Sequence, residues 1–81
     1  MWLEDKLVRT LRCRLQQKPG VLGGLLTILG SQNAYVGEIK TIHMGMNFVV
    51  RDITIFADDE AHLERIVKAV RAYPAAELLE V

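Results

Sequence analysis

The sequence predicts an α+β domain: a four-stranded antiparallel sheet with two helices on one face, in the order β-α-β-β-α-β. Three observations carry that expectation. Two stretches place apolar residues at helical spacing, and each is flanked by strand-like runs. The two central strand-like runs are separated only by the short turn "GMN", so they read as a hairpin. Each half of the chain is then one strand–helix–strand unit, and the hairpin joins the halves.

The first element is "LVRTLRCRL", residues 7–15. Leu7, Leu11, Cys13 and Leu15 share one face with Arg9, while Val8, Thr10, Arg12 and Arg14 share the other. Such alternation marks a half-buried strand whose second face is polar enough for water. "PGVLGGLLTILGSQN" follows, with Leu22, Leu25, Leu26 and Leu29 at helical spacing and Val21 and Ile28 at the margins. Pro19 suits a helix start, because its fixed φ fits and its missing N–H is not needed there. Gly23, Gly24 and Gly30 each cost about 0.5–1 kcal/mol relative to alanine, which points to close packing. Asn33 is placed to take the left-handed backbone that ends the helix.

"AYVGEIKTIHM" is strand-like without clean alternation. Val36 and Ile39 lie three apart with Gly37 between them, a spacing that predicts a bulge. "FVVRDITIF" returns as the second arm of the hairpin, with Val49, Ile53 and Ile55 on one face. The clearest helix is "DDEAHLERIVKAVRAYP". Leu63, Ile66, Val67, Val70 and Tyr73 form its stripe. Asp58 or Asp59 caps its start, Glu60 complements the positive end, Lys68 and Arg71 complement the negative end, and Pro74 stops it. Glu64 and Lys68 form an i,i+4 pair. "AELLEV" is a short last strand. The whole is the ferredoxin-like sandwich.

Length and composition narrow the function. With 81 residues the chain is a single domain over 1–81. A domain of this size buries roughly 60% of its surface and is marginal alone, so self-association is expected. Lysine plus arginine equals aspartate plus glutamate, at 10 each, so no net basic field draws in nucleic acid or anionic lipid. The lone Cys13 excludes an internal disulfide and fits a cytoplasmic setting. "MWLEDKL" lacks the apolar region of a signal peptide, and no apolar run approaches the ~20 residues that cross a bilayer. A soluble protein, with neither membrane nor nucleic-acid partner, is expected.

No catalytic constellation is visible, and no enzyme activity, metal or cofactor is expected. Cys13 has no second cysteine and sits on the apolar strand face as a small core residue. His43, near a strand end, and His62, in a first helical turn, read as solvated side chains. Asp58, Asp59 and Glu60 are explained by capping. Acylphosphatases share the topology, but they need an arginine in the loop after the first strand, where "QQKPG" offers only Lys18. RNA-binding domains share it too, with aromatics on the central strands. Here the first strand has none, and Phe48 and Phe56 stand at the ends of the third. Arg12 and Arg14 on the open face read as a solvated face or a partner contact.

What remains is "QKPGVL". A chain that turns sharply into a helix leaves its first N–H groups without acceptors, at the positive end of the helix dipole. A carboxylate docks well there, and Gly20 lets a ligand approach the backbone. The bland reading, an ordinary strand-to-helix turn, stays open on these residues alone.

In combination, a strand, then "KPGVL" opening a helix, then the exit "SQNAYVGEI", the chain resembles the ACT domain, a regulatory module that binds small molecules. The family's recurring pattern is an acidic or amide residue, any residue, Pro-Gly, any residue, then leucine or valine; Gln17-Lys18-Pro19-Gly20-Val21-Leu22 matches it. The second half, "VVRDITI…DDEAHLERIVKAVRAYP…LLEV", looks like the ACT-type segment that precedes some bacterial malic enzymes. The resemblance implies a homodimer or higher homo-oligomer, with two sheets joined through their second strands. It implies an amino acid or similar metabolite bound at that junction, between the loop Gln17 to Leu22 of one chain and a polar residue at the start of the partner's second strand. That position, usually Asn or Asp, falls on Tyr35, a bulkier donor. A regulated metabolic enzyme is a further implied partner. Two readings follow: a non-catalytic sensor of an amino acid or similar metabolite, or a ligand-free dimerisation module whose pocket Tyr35 fills.

Overall fold

The predicted order of elements is the observed one: β1 Leu7–Gln16, α1 Val21–Ser31, β2 Tyr35–Met44, β3 Phe48–Ala57, α2 Glu60–Arg71 and β4 Ala76–Glu80. The structure, a computed structural model, describes residues 5–81. The beginning of the expected domain, and with it most of "MWLED", lies outside the described residues. Strand order in the sheet is β2-β3-β1-β4, and every neighbouring pair is antiparallel. β2 and β4 are therefore the edges.

Alternation in β1 and β3 sends one set of side chains under the helices. Leu11, Cys13 and Leu15 of β1 and Val49, Ile53 and Ile55 of β3 are buried there. They meet Leu25 and Leu29 of α1 and Leu63, Ile66 and Val70 of α2. The other sheet face stays open. It carries a charge lattice in which Arg12 pairs with Asp52 at 2.8 Å and Arg14 with Glu77 at 3.1 Å, and the Arg14 guanidinium lies 4.6 Å from the Phe48 ring centre. The two arginines left above as a solvated face or partner contact are thus satisfied within the chain.

α1 departs from the expected stripe. Val21, Leu25 and Leu29 are its buried residues, while Leu22 and Leu26 are only partly covered. The cause is the second helix. A Cβ at Gly24 would run into the Tyr73 hydroxyl, so this flank of α1 lies against α2. At 100° per residue, Leu22 and Leu26 then fall on the far flank, toward β2. Close packing explains Gly24 alone, since a Cβ at Gly23 or Gly30 would meet nothing.

Helix ends follow local chemistry. Asp59 caps α2 by accepting the His62 N–H at 2.8 Å. Asn33, with φ 59°, supplies the left-handed residue after α1. His62, expected in solvent, is 3% exposed. Its Nδ1 accepts the Asp58 N–H at 2.8 Å, and its Nε2 lies 2.6 Å from the Gln32 carbonyl oxygen. The imidazole is buried because it satisfies polar backbone of both helix termini at once.

β2 contains the predicted bulge between Val36 and Ile39, and a second one between Thr41 and His43. All ten of its residues are exposed. α1 lies near β2 without burying any of its residues.

Candidate functional site

The loop after β1 is a turn and a helix cap in one. Lys18 O accepts the Val21 N–H at 3.3 Å, and Gly20 has φ 85° and ψ −11°. These are the marks of a type II turn with Pro19 and Gly20 at its centre, where the second central residue needs positive φ. Gly20 is also the residue before α1, and its carbonyl accepts the Gly24 N–H at 2.9 Å. The helix thus starts two residues after Pro19, not at it. With φ at 85°, Gly20 holds a left-handed backbone that a residue with a side chain would adopt only under strain.

The Val21 N–H is used by the turn. Those of Gly20, Leu22 and Gly23 meet no acceptor among the described residues. Gln17, Lys18, Pro19 and Gly20 are exposed, whereas Val21 points into the core. The loop is held from behind: the Gln17 N–H donates to Asn47 O at 2.9 Å, and the Gln17 side-chain Nε2 donates to the Met44 sulfur at 3.2 Å. This brings the loop beside the end of β2.

Tyr35 stands elsewhere. It opens β2, pairs across the strands with Phe56, and is 54% exposed. Phe56 belongs to the open face, so Tyr35 lies on that face, while Gln17 follows the alternation of Leu15 onto the helix face. Within one chain the loop and Tyr35 are also at opposite ends of α1, about 16 Å of helix apart. Of the concave surfaces of the single chain, one lies beside Asn33 and Tyr35, one between Arg12, Asp52 and Glu80, and one beside Asn47, the residue that holds the loop, with Arg14, His43 and Phe48.

One residue absent from the sequence reading belongs here. Arg51 pairs in register with Cys13 and Thr41, and its neighbours Val49 and Ile53 are buried, so its side chain leaves the sheet on the helix face. The signal was available: in "VVRDITI" it shares the alternation of Val49, Ile53 and Ile55.

Among the described residues no group of three or more His, Cys, Asp or Glu is placed to hold a metal ion. Burial, with a contribution from the Asp52 charge, pushes the Cys13 thiol up to about 11, which disfavours the reactive thiolate. No helix among the described residues is long and apolar enough to cross a membrane.

The fold defines a class. The chain is similar to the ACT domain from the GTP pyrophosphokinase of Chlorobium tepidum, with a TM-score of 0.74 over 93% of this chain and 96% of that one. The two are 12% identical, so the likeness is one of architecture: the chain has the ACT-domain fold. A sequence relative is more particular. Over 66 residues, 82% of the chain, it is 33% identical to NAD-dependent malic enzyme 1 of Bacillus subtilis (strain 168). The chain spans 15% of that relative's length. No family model matches. Both parts of the resemblance read from the sequence are thereby found, the ACT fold and a likeness to a bacterial malic enzyme.

Proposed function

We propose that the chain is a non-catalytic regulatory module that binds an amino acid or similar small metabolite at the junction of two copies joined through β2. The observation that carries this reading is β2 itself. It is an edge strand of ten residues, exposed throughout and without proline, and it passes beside a loop with free N–H groups. An edge of that length is a template for another strand. Val36 at 36%, Ile39 at 37% and Met44 at 60% exposure add apolar surface along it. Glu38 and Lys40 blunt the edge without capping it.

Pairing two antiparallel copies of β2 about a two-fold axis normal to the sheet runs the partner strand in the opposite direction, so that its start lies beside the end of this one. The partner subunit's Tyr35 then comes to the Met44 end of the strand from the open face, while Gln17 reaches the Met44 sulfur on the helix face. The loop Gln17, Lys18, Pro19, Gly20, Val21 and Leu22 meets the partner at this point. The ligand carboxylate is received by the N–H groups at the helix start, Gln17 orients the ligand, and the partner subunit's Tyr35 closes the mouth. The module regulates a metabolic enzyme in the cytoplasm. A ligand-free association module is the second reading, favoured by the bulk of Tyr35 where the family pattern has Asn or Asp.

Sedimentation and a thermal-shift screen against amino acids separate these readings. A dimer at micromolar concentration whose melting temperature rises with a ligand supports the sensor. A dimer that responds to none supports the association module, and a monomer removes both.

A further inference from the structure

The outer faces of the two helices differ in kind. α2 turns Glu60, Glu64, Arg65, Lys68 and Arg71 to solvent. α1, "VLGGLLTILGS", has no charged residue. Its uncovered surface is made of Leu22 and Leu26, both half-buried, and of the exposed Gly23, Thr27 and Gly30. At 100° per residue, Leu22, Leu26 and Gly30 follow one line on the flank toward β2, with Gly23 beside it. A helix face that meets only water is ordinarily charged or polar.

The two glycines serve no steric purpose within the chain. A Cβ at Gly23 or Gly30 would meet nothing within 4 Å, and neither residue has positive φ. Each nevertheless weakens the helix relative to alanine. What they provide is a flank that another helix can approach closely, since the distance between packed helices is set by the side chains at the contact.

The position of this flank identifies the occupant. It adjoins β2, whose Val36, Ile39 and Met44 are exposed on the same side of the sheet. A ten-residue strand is about 33 Å long and a sheet about 10 Å thick, so the β2 edge alone offers roughly 330 Å². A stable dimer buries about 800 Å² per partner, so further surface has to join the strand junction. A two-fold axis normal to the sheet places the helices of both copies on one side, with α1 next to α1. A charge-free flank meets its own copy without like-charge repulsion.

We propose that the Leu22, Gly23, Leu26 and Gly30 flank of α1 packs against the same flank of a second copy, as a close helix pair over the β2 junction. This rests on the strand junction proposed above and supplies the rest of its interface.

Sedimentation equilibrium, with helix content followed by circular dichroism, tests it. Gly30→Lys and Gly23→Glu each add a side chain for which the single chain has room, so helix content should hold or rise. The dimer dissociation constant should nevertheless increase about tenfold or more in each. Glu64→Lys, on the outer face of α2, is the control and should leave the dimer intact. Ile39→Lys reads the strand junction by itself and should also weaken the dimer. Glycine variants that dimerise like wild type overturn the helix contact and leave the β2 junction standing. Loss of helix content in both places the obstruction inside the chain and overturns it as well. So does equal dissociation by Glu64→Lys, which would make the effect one of charge alone. A dimer weakened by the glycine variants but indifferent to Ile39→Lys supports the helix contact and removes the β2 junction. A wild-type chain that is monomeric at micromolar concentration removes both.

Discussion

The Tyr73 hydroxyl donates to the carbonyl oxygen of Val21 at 3.0 Å, crossing from the end of α2 to the first residue of α1. This single bond fixes the helix start beside the Pro-Gly turn, and it occupies the space over Gly24. The turn, the free N–H groups and the packing of the two helices are therefore coupled through one phenol.

Gly24→Ala tests that coupling. In an open helix position the change gains about 0.5–1 kcal/mol. Here the new methyl displaces the Tyr73 hydroxyl, and a net loss of stability is expected. In a Tyr73→Phe background the hydroxyl is gone and only the ring carbon at 3.0 Å remains close, so Gly24→Ala should cost less than it does in wild type. Urea unfolding of the double-mutant cycle measures it; strict additivity would mean that the two side chains do not compete for the same space.

His62 joins the two halves of the molecule through Gln32 and Asp58. Truncation to alanine leaves the Asp58 N–H and the Gln32 carbonyl without their imidazole partner and opens a cavity where the buried ring stood. His62→Ala is expected to cost about 2–4 kcal/mol in equilibrium denaturation. His43→Ala, on the exposed end of β2, is the control and should stay within about 0.5 kcal/mol of wild type. A cost below about 1 kcal/mol for His62→Ala would show that water replaces the imidazole.

Acid stability depends on Asp52. The hydrogen bonds from Arg12 hold its carboxylate below the usual range. A carboxylate whose pKa is lower folded than unfolded contributes stability above the unfolded value, about 3.9, and loses it as pH falls through the folded value. Denaturation midpoints measured from pH 7 downward should therefore fall more steeply for wild type than for Asp52→Asn, with the two curves converging at the acid end. Parallel curves would remove the Arg12–Asp52 pair as a source of acid sensitivity.

Cys13 is fully buried, and its thiol is pushed up to about 11. At pH 8 little thiolate forms, and reagent has no path to it. Labelling by a disulfide-exchange reagent should proceed at the rate of unfolding and accelerate with urea. Rapid stoichiometric labelling of the folded chain would contradict the burial.

Much of the fold was legible along the chain because its signals are local. The alternation of Leu11, Cys13 and Leu15, the stripe of α2, the cap at Asp59, the left-handed Asn33 and the bulge around Gly37 each depend on a few adjacent residues and on backbone sterics. "KPG" was legible as a turn for the same reason. The side of α1 that is buried was not, because it is set by Tyr73, which lies 52 residues from Val21. Nor was His62, whose apparent solvent position became an interior one only when Gln32 arrived beside it. The separation of Gln17 from Tyr35, by the length of α1 and by the two faces of the sheet, is likewise a product of topology. So is the isolation of Arg51 from every described carboxylate. Sequence periodicity determines which residues share a face; docking of the elements determines what that face meets. Burial and pairing are sums over neighbours distant in the chain, which no short window contains.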